Sequence, residues 1–232
     1  MPIKWRVVDP DYKDKSGSSQ GKLLVAENIL TANVPYYDDW KNNRTIDGKT
    51  VYPNNYMHSQ IRAYLNGYKY TGYDTSSSSN VEKTQWNNKG FLQTAFTSDA
   101  INKIITTKVD NAKEQMSYDG TNGMDERYAC DPTDDKIFLL SEKEVVQYSK
   151  SGEAYNSCGE GNSRIRITTD FAKANNAYQS TTNVYGGYWW LRSPYYDDSF
   201  IASIVNSDGD ADKGSAVLNG SDGVVPALSI SF

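Results

Sequence analysis

Long apolar runs are missing from this 232-residue chain. No stretch approaches the roughly 20 apolar residues that a membrane-spanning helix needs, so no membrane insertion is expected. The opening Met1-Pro2-Ile3-Lys4-Trp5 has no apolar signal-peptide core, which leaves localisation open. Histidine is nearly absent. His58 is the only one, so Ser–His or Cys–His chemistry would have to run through it. It opens a short helix among Asn, Tyr and Met, where a capping or surface role is the simpler reading. Cysteine occurs twice, as Cys130 and Cys158. Neither belongs to a Cys-x-x-Cys or Cys/His pattern, so no structural zinc and no cofactor is expected. The two stand in polar surroundings, as loop thiols or as one disulfide, and spacing does not choose. Positive charge is not in excess either. There are 24 basic against 29 acidic residues and a net charge of −5, with no basic stripe, so nucleic acid is not an expected partner.

Rings are plentiful instead: 18 Tyr, 6 Phe and 5 Trp in a chain only 38% hydrophobic. Rings and β-branched residues suit strands. Ile3–Val8 and Lys22–Ala26 read as strands, Lys136–Leu140 as a compact one. Residues 41–50 carry turn chemistry ending in Asp47-Gly48, and Asp74–Asn80 is a low-complexity loop tip. Ser59 precedes Ile61, Tyr64 and Leu65 at helical spacing. Gly90–Phe96 suggests a second helix, and Ser98 caps a third around Ala100–Ile104. A polar connection follows over Asp110–Asp135. Ser141 and Glu144 form a capping box, and Thr169 caps a helix over Asp170–Asn175. After Gly187 the pattern is β only, with strands near 200–206, 213–218 and 224–231 parted by Asp-Gly and Asn-Gly turns. The expectation is one α+β domain over 1–232, short helices around a small antiparallel sheet, with its N- and C-terminal strands paired.

Catalytic patterns are weak. Gly17-Ser18-Ser19-Gln20-Gly21 fits Gly-x-Ser-x-Gly but lacks the strand and helix a nucleophile elbow requires. Asp208, Asp210 and Asp212 alternate as in a calcium loop, yet Gly214 falls one place late and Asn219 stands where the bidentate Glu belongs. Arg192 follows three residues expected to be buried, so its guanidinium must be paired. Tying the sheet to a loop carbonyl or carboxylate is the plain role for it, anion recognition the sharper one.

Between Tyr188-Trp189-Trp190-Leu191-Arg192-Ser193-Pro194 and Gly223-Val224-Val225-Pro226-Ala227-Leu228 lie about thirty residues rich in Tyr, Asp, Ser, Asn and Gly. That is the composition of a paratope: rigid amphipathic rings with adaptable polar neighbours. The two anchors and Val205-Asn206-Ser207-Asp208-Gly209 between them resemble the tail of a domain family common in gut Firmicutes. Trp5–Val8, Ile61–Asn66 and Lys136–Ser141 extend the resemblance along most of the chain. The family is similar to the C-type-lectin-like superfold, which includes formylglycine-generating enzymes and the variable proteins of diversity-generating retroelements. In those variable proteins a fixed scaffold displays a C-terminal segment randomised at adenines. An Asn codon then yields Tyr, Asp, Ser, Phe, Ile, Ala, Val or Gly, the set from which 195–215 is largely built.

The resemblance implies a non-enzymatic binding module for a protein or cell-surface ligand. Its expected contacts are Tyr195, Tyr196, Asp197, Asp198 and Phe200, with Ile204, Asn206, Asp208, Asp210 and Asp212 weaker. Alternation along a strand would turn every second residue outward. The alternatives are an enzyme of the same superfold working through His58 or a carboxylate, calcium-dependent glycan binding at Asp208–Asp212, or a purely structural domain. Val225 stands where the family usually has Arg, so an ion pair on the last strand is expected to be missing or replaced. No cysteine follows Cys158, which tells against formylglycine-type catalysis.

Overall fold

The computed structural model describes residues 2–117, 125–182 and 186–231. In chain order the strands are β1 (Trp5–Asp9), β2 (Lys22–Ala26), β3 (Arg44–Ile46), β4 (Lys49–Val51), β5 (Tyr70–Asp74), β6 (Ser79–Lys83) and β7 (Ile104–Ile105). They continue as β8 (Thr107–Val109), β9 (Thr133–Asp135), β10 (Ile137–Phe138), β11 (Trp189–Pro194), β12 (Ile201–Val205), β13 (Lys213–Ala216) and β14 (Ala227–Ile230). The helices are α1 (Gln60–Asn66), α2 (Phe91–Ala95), α3 (Ser98–Lys103), α4 (Glu142–Gln147) and α5 (Asp170–Ala174). Small antiparallel sheets and short helices alternate along the chain, so the class is α+β.

The largest sheet runs β1-β2-β14-β10, with β7 also pairing β14. The first and last strands therefore share a sheet without pairing. β2 stands between them, in register Trp5↔Ala26 on one edge and Ala227↔Val25 on the other. Alternation in β14 fits a sheet interior equally well, so it does not name the neighbour. A second sheet, β11-β12-β13, carries the tail. The closing β region is thus divided between two sheets, because β14 leaves for the first.

Local chemistry explains most boundaries. Ser59 accepts from the Arg62 amide to cap α1, and Gly67 ends it in the left-handed region. Ser141 and Glu144 close the capping box of α4, and Thr169 caps α5. The third helix is capped one residue earlier than expected: Thr97, not Ser98, accepts from the Ala100 amide. Asp47 and Gly48 both take positive φ and join β3 to β4 as a tight hairpin. The low-complexity tip likewise closes a hairpin, β5–β6. The 136–140 strand contracts to Ile137–Phe138, while Leu139 and Leu140 stay buried with their carbonyls given to Arg192. The 110–135 connection contains β9 and two 3-10 turns, Lys113–Gln115 and Glu126–Tyr128; its residues 118–124 lie outside the described residues.

Two buried clusters form the core, and β11 divides them. Trp190 points into one, edge-on to Tyr36 at 5.6 Å, and Trp189 into the other beneath Arg166. A strand covered on both faces reads as an unbroken apolar run, and all six residues of β11 are buried. Gly223 bonds in parallel beside Trp189, where a Cβ would stand 2.2 Å from a methyl of Ile29. Only glycine permits that approach.

Candidate functional site

The β11–β12 connection, residues 195–200, is held to the framework by its backbone. Asn54, fully buried ahead of α1, donates from Nδ2 to the Asp198 and Ile201 carbonyls at 2.9 and 3.1 Å. Its amide donates to the Ser199 carbonyl, and the Asp125 amide to that of Tyr196. Within the loop the Asp198 carboxylate accepts from the Phe200 amide at 2.8 Å. A loop whose main chain is satisfied in this way leaves its side chains available for recognition.

Those side chains form a ring-rich surface. Tyr195 and Tyr196 pack at 4.6 Å, and Trp40 meets Phe200 edge-on at 5.6 Å. Tyr195 lies across Gly214 on β13, where a Cβ would come within 2.8 Å of the ring. Trp40 and Tyr196 are 43% and 41% exposed, large values for side chains of such apolar area. Burial pushes the Tyr195 hydroxyl up to about 12, helped by Tyr196 and by the carboxylates of Asp212 and Asp197. Asp212 thus belongs to the same neighbourhood although β12 separates it in sequence.

The remaining expected contacts are placed elsewhere. Ile204 is 4% exposed and belongs to the core cluster around Trp190, so it faces no ligand. The Asn206 side chain accepts from the Asp208 and Asp210 amides, closing a turn at Gly209. Asp210 accepts from the Asp212 amide and pairs with Lys213 at 2.9 Å, while buried Arg164 holds the Gly209 carbonyl. Asn206, Asp208 and Asp210 therefore shape a turn docked on residues 153–164. Among the described residues no group of three His, Cys, Asp or Glu side chains is arranged to hold a metal. Trp40 and Asn54 are the site residues the sequence did not reveal. Asn54 meets partners 144 and 147 positions away, and no local pattern announces that.

A family model described as a domain of unknown function, DUF6273, matches residues 20–232. The chain belongs to the DUF6273 family. No curated protein and no solved structure matches it.

In this DUF6273 domain Arg192 has the structural role. It donates to the Asp110 carbonyl through Nε and Nη2, to the Leu139 carbonyl through Nη1, and to the Glu144 carboxylate through both Nη atoms. No donor is left for an external anion. Val225 is wholly buried in the cluster around Trp189, so packing occupies the place of the expected arginine. Cys130 and Cys158 are free thiols, not a disulfide. Burial pushes the Cys130 thiol up to about 11, away from nucleophilic character at neutral pH.

Asp222 is a further buried group that the composition did not signal. It is 0% exposed, and neither carboxylate oxygen has a hydrogen-bond donor in good geometry. Burial raises its pKa from 3.8 to about 6, while nearby Ser215 and Asn219 pull it partly back. The folded state therefore holds this proton more tightly than the unfolded chain. The resulting stabilisation is full below pH 3.8 and is lost as pH rises to about 6. Asp222→Asn should melt higher than the parent at neutral pH, and the gap should narrow near pH 4. A gap constant across that window, read by thermal melts at both ends, would refute the assignment.

Proposed function

We propose that this domain is a recognition module, not an enzyme, built on a C-type-lectin-like scaffold. It displays residues 195–200 with Trp40 and Asp212 to a protein or cell-surface ligand. The single observation carrying this reading is the ring surface of Trp40, Phe200, Tyr195 and Tyr196, mounted on a loop whose backbone the framework fixes. Aromatic anchors on rigid supports bind with little entropy loss, because the rings have few rotamers to freeze. The composition of 195–215 further supports kinship with retroelement variable proteins, whose coding sequences lie near a template repeat and a reverse-transcriptase gene.

The test exchanges 195–200 for a Gly/Ser segment of equal length and probes both proteins on peptide and glycan arrays. The variant should fold with a melting temperature close to the parent's and lose at least about tenfold in each specific signal, the scale of one lost hot spot. Undiminished signals would sink the reading. So would a collapsed fold, since the segment would then be structural.

A further inference from the structure

A second concave site lies away from the tail, between the start of α1 and β5. The pocket has a volume of about 150 Å³, and His58, Arg62, Tyr68, Lys69 and Thr71 line it. Its charge balance is unusual. Arg62 spends Nε and one Nη2 proton on the buried carboxylate of Asp135 and one Nη1 proton on the Met57 carbonyl. Two guanidinium protons remain. Lys69 adds an ammonium at the rim, where Glu82 meets it in an exposed pair at 3.0 Å.

Behind the wall stands Arg44, 0% exposed. It donates through Nη1 to the carbonyls of His58 and Thr71, both pocket residues, and through Nη2 to that of Tyr52. Its Nε has no acceptor, and among the described residues no carboxylate lies within salt-bridge distance. The ring of Tyr37 lies 3.9 Å away, and the Asp38 carboxylate acts on Arg44 from beyond salt-bridge distance. A buried guanidinium held only by carbonyls and a ring keeps its positive field, and a low-dielectric wall transmits that field to the adjacent cavity. The His58 imidazole faces this field, and among the described residues it has no hydrogen-bond partner; only the His58 backbone amide is engaged, by Asn55 Oδ1.

We propose that this pocket is a binding site for a small oxyanion, a carboxylate or phosphate group. The oxyanion takes hydrogen bonds from Arg62, Lys69 and the His58 ring and offsets the charge of Arg44. This site is independent of the tail surface. The groups acting on His58 support it: burial lowers the imidazole to about 4, the cations of Arg44 and Arg62 add to the fall, and only Asp47 opposes them. The other ionisable groups around the pocket are Tyr68 and Tyr70 from β5 and its approach, Asp38 bonded to the Tyr70 hydroxyl, Asp134 and Asp135 from β9 and Glu82 from β6. Asp38 offsets part of the Arg44 field, but at the His58 ring Arg44 and Arg62 both act and Asp47 is the opposing carboxylate, so an anion bound there would relieve their charge.

Because His58 is the sole histidine, its ring resonances in NMR spectra are unambiguous. Inorganic phosphate, and separately sodium acetate, is titrated into the protein at neutral pH, with sodium chloride at matched ionic strength as reference. A saturable shift in the millimolar range is expected for at least one of them, and which one saturates distinguishes a phosphoryl from a carboxylate ligand. At saturating phosphate the apparent pKa of His58 should rise by about one unit, the effect of a close opposite charge. Lys69→Ala, an exposed substitution that the fold tolerates, should weaken binding several-fold. The proposal is overturned if neither anion exceeds chloride, or if Lys69→Ala binds like the parent. Neither outcome bears on the array experiment above.

Discussion

Replacing Arg192 by methionine should cost the fold about 3–5 kcal/mol, the loss expected when one partner of a buried ion pair is removed. The side chain is 1% exposed and Glu144, its partner, only 12%. Methionine would fill most of the volume, so the cost is mainly electrostatic. Glu144 would be left charged and short of donors, and the carbonyls of Asp110 and Leu139 would lose theirs in the interior. Three segments would come apart together: β11, the α4 cap, and the chain around Asp110. Glu144 also closes the α4 capping box by accepting from the Ser141 amide at 3.0 Å. The double variant Arg192→Met with Glu144→Met removes both charges and should regain part of the loss. Urea denaturation checks both. A single-variant loss under about 1 kcal/mol would mean that water reaches the pair and the core is not closed there.

The plain role expected for Arg192 was readable because three consecutive large apolar residues leave little room for an exposed fourth. Local rules also placed β2, α1 and the α4 and α5 caps, since each depends on neighbours within four positions. What they missed depends on chain partners far apart. β14 alternates like an edge or an interior strand, and only its pairing with both β2 and β10 decides which. Trp40 sits in a polar tract where a lone tryptophan signals nothing until Phe200 comes against it. Asn54 is one of many asparagines, distinguished only by carbonyls it meets across the fold. Asp222 reads as half of an Asp-Gly turn, whereas packing has buried it with neither carboxylate oxygen in a well-formed hydrogen bond.

Ile204→Ala should destabilise the domain by about 2–5 kcal/mol, the range for truncating a buried aliphatic side chain, while Tyr196→Ala should stay within about 0.5 kcal/mol of the parent. Both residues belong to the segment whose composition suggests a recognition surface, and alternation along a strand would expose every second position. That expectation fails at β12 because both of its faces are covered. Ala202 and Ile204 enter the core cluster around Trp190, Val205 enters the cluster around Trp189, and buried Ser203 donates to the Glu142 carboxylate at 3.1 Å. β12 is also the middle strand, paired with β11 on one side and β13 on the other. Variation is therefore tolerable in the preceding loop and near Asp212, and not along the strand between them. Tyr196, 41% exposed at the loop apex, loses ring area to solvent without opening a cavity. Its replacement should instead register in ligand binding, by at least about 1 kcal/mol if it is an interface anchor. Thermal melts of the two variants beside array binding separate the roles. Equal stability losses would show that the loop and the strand are one structural unit, and no surface would remain for recognition.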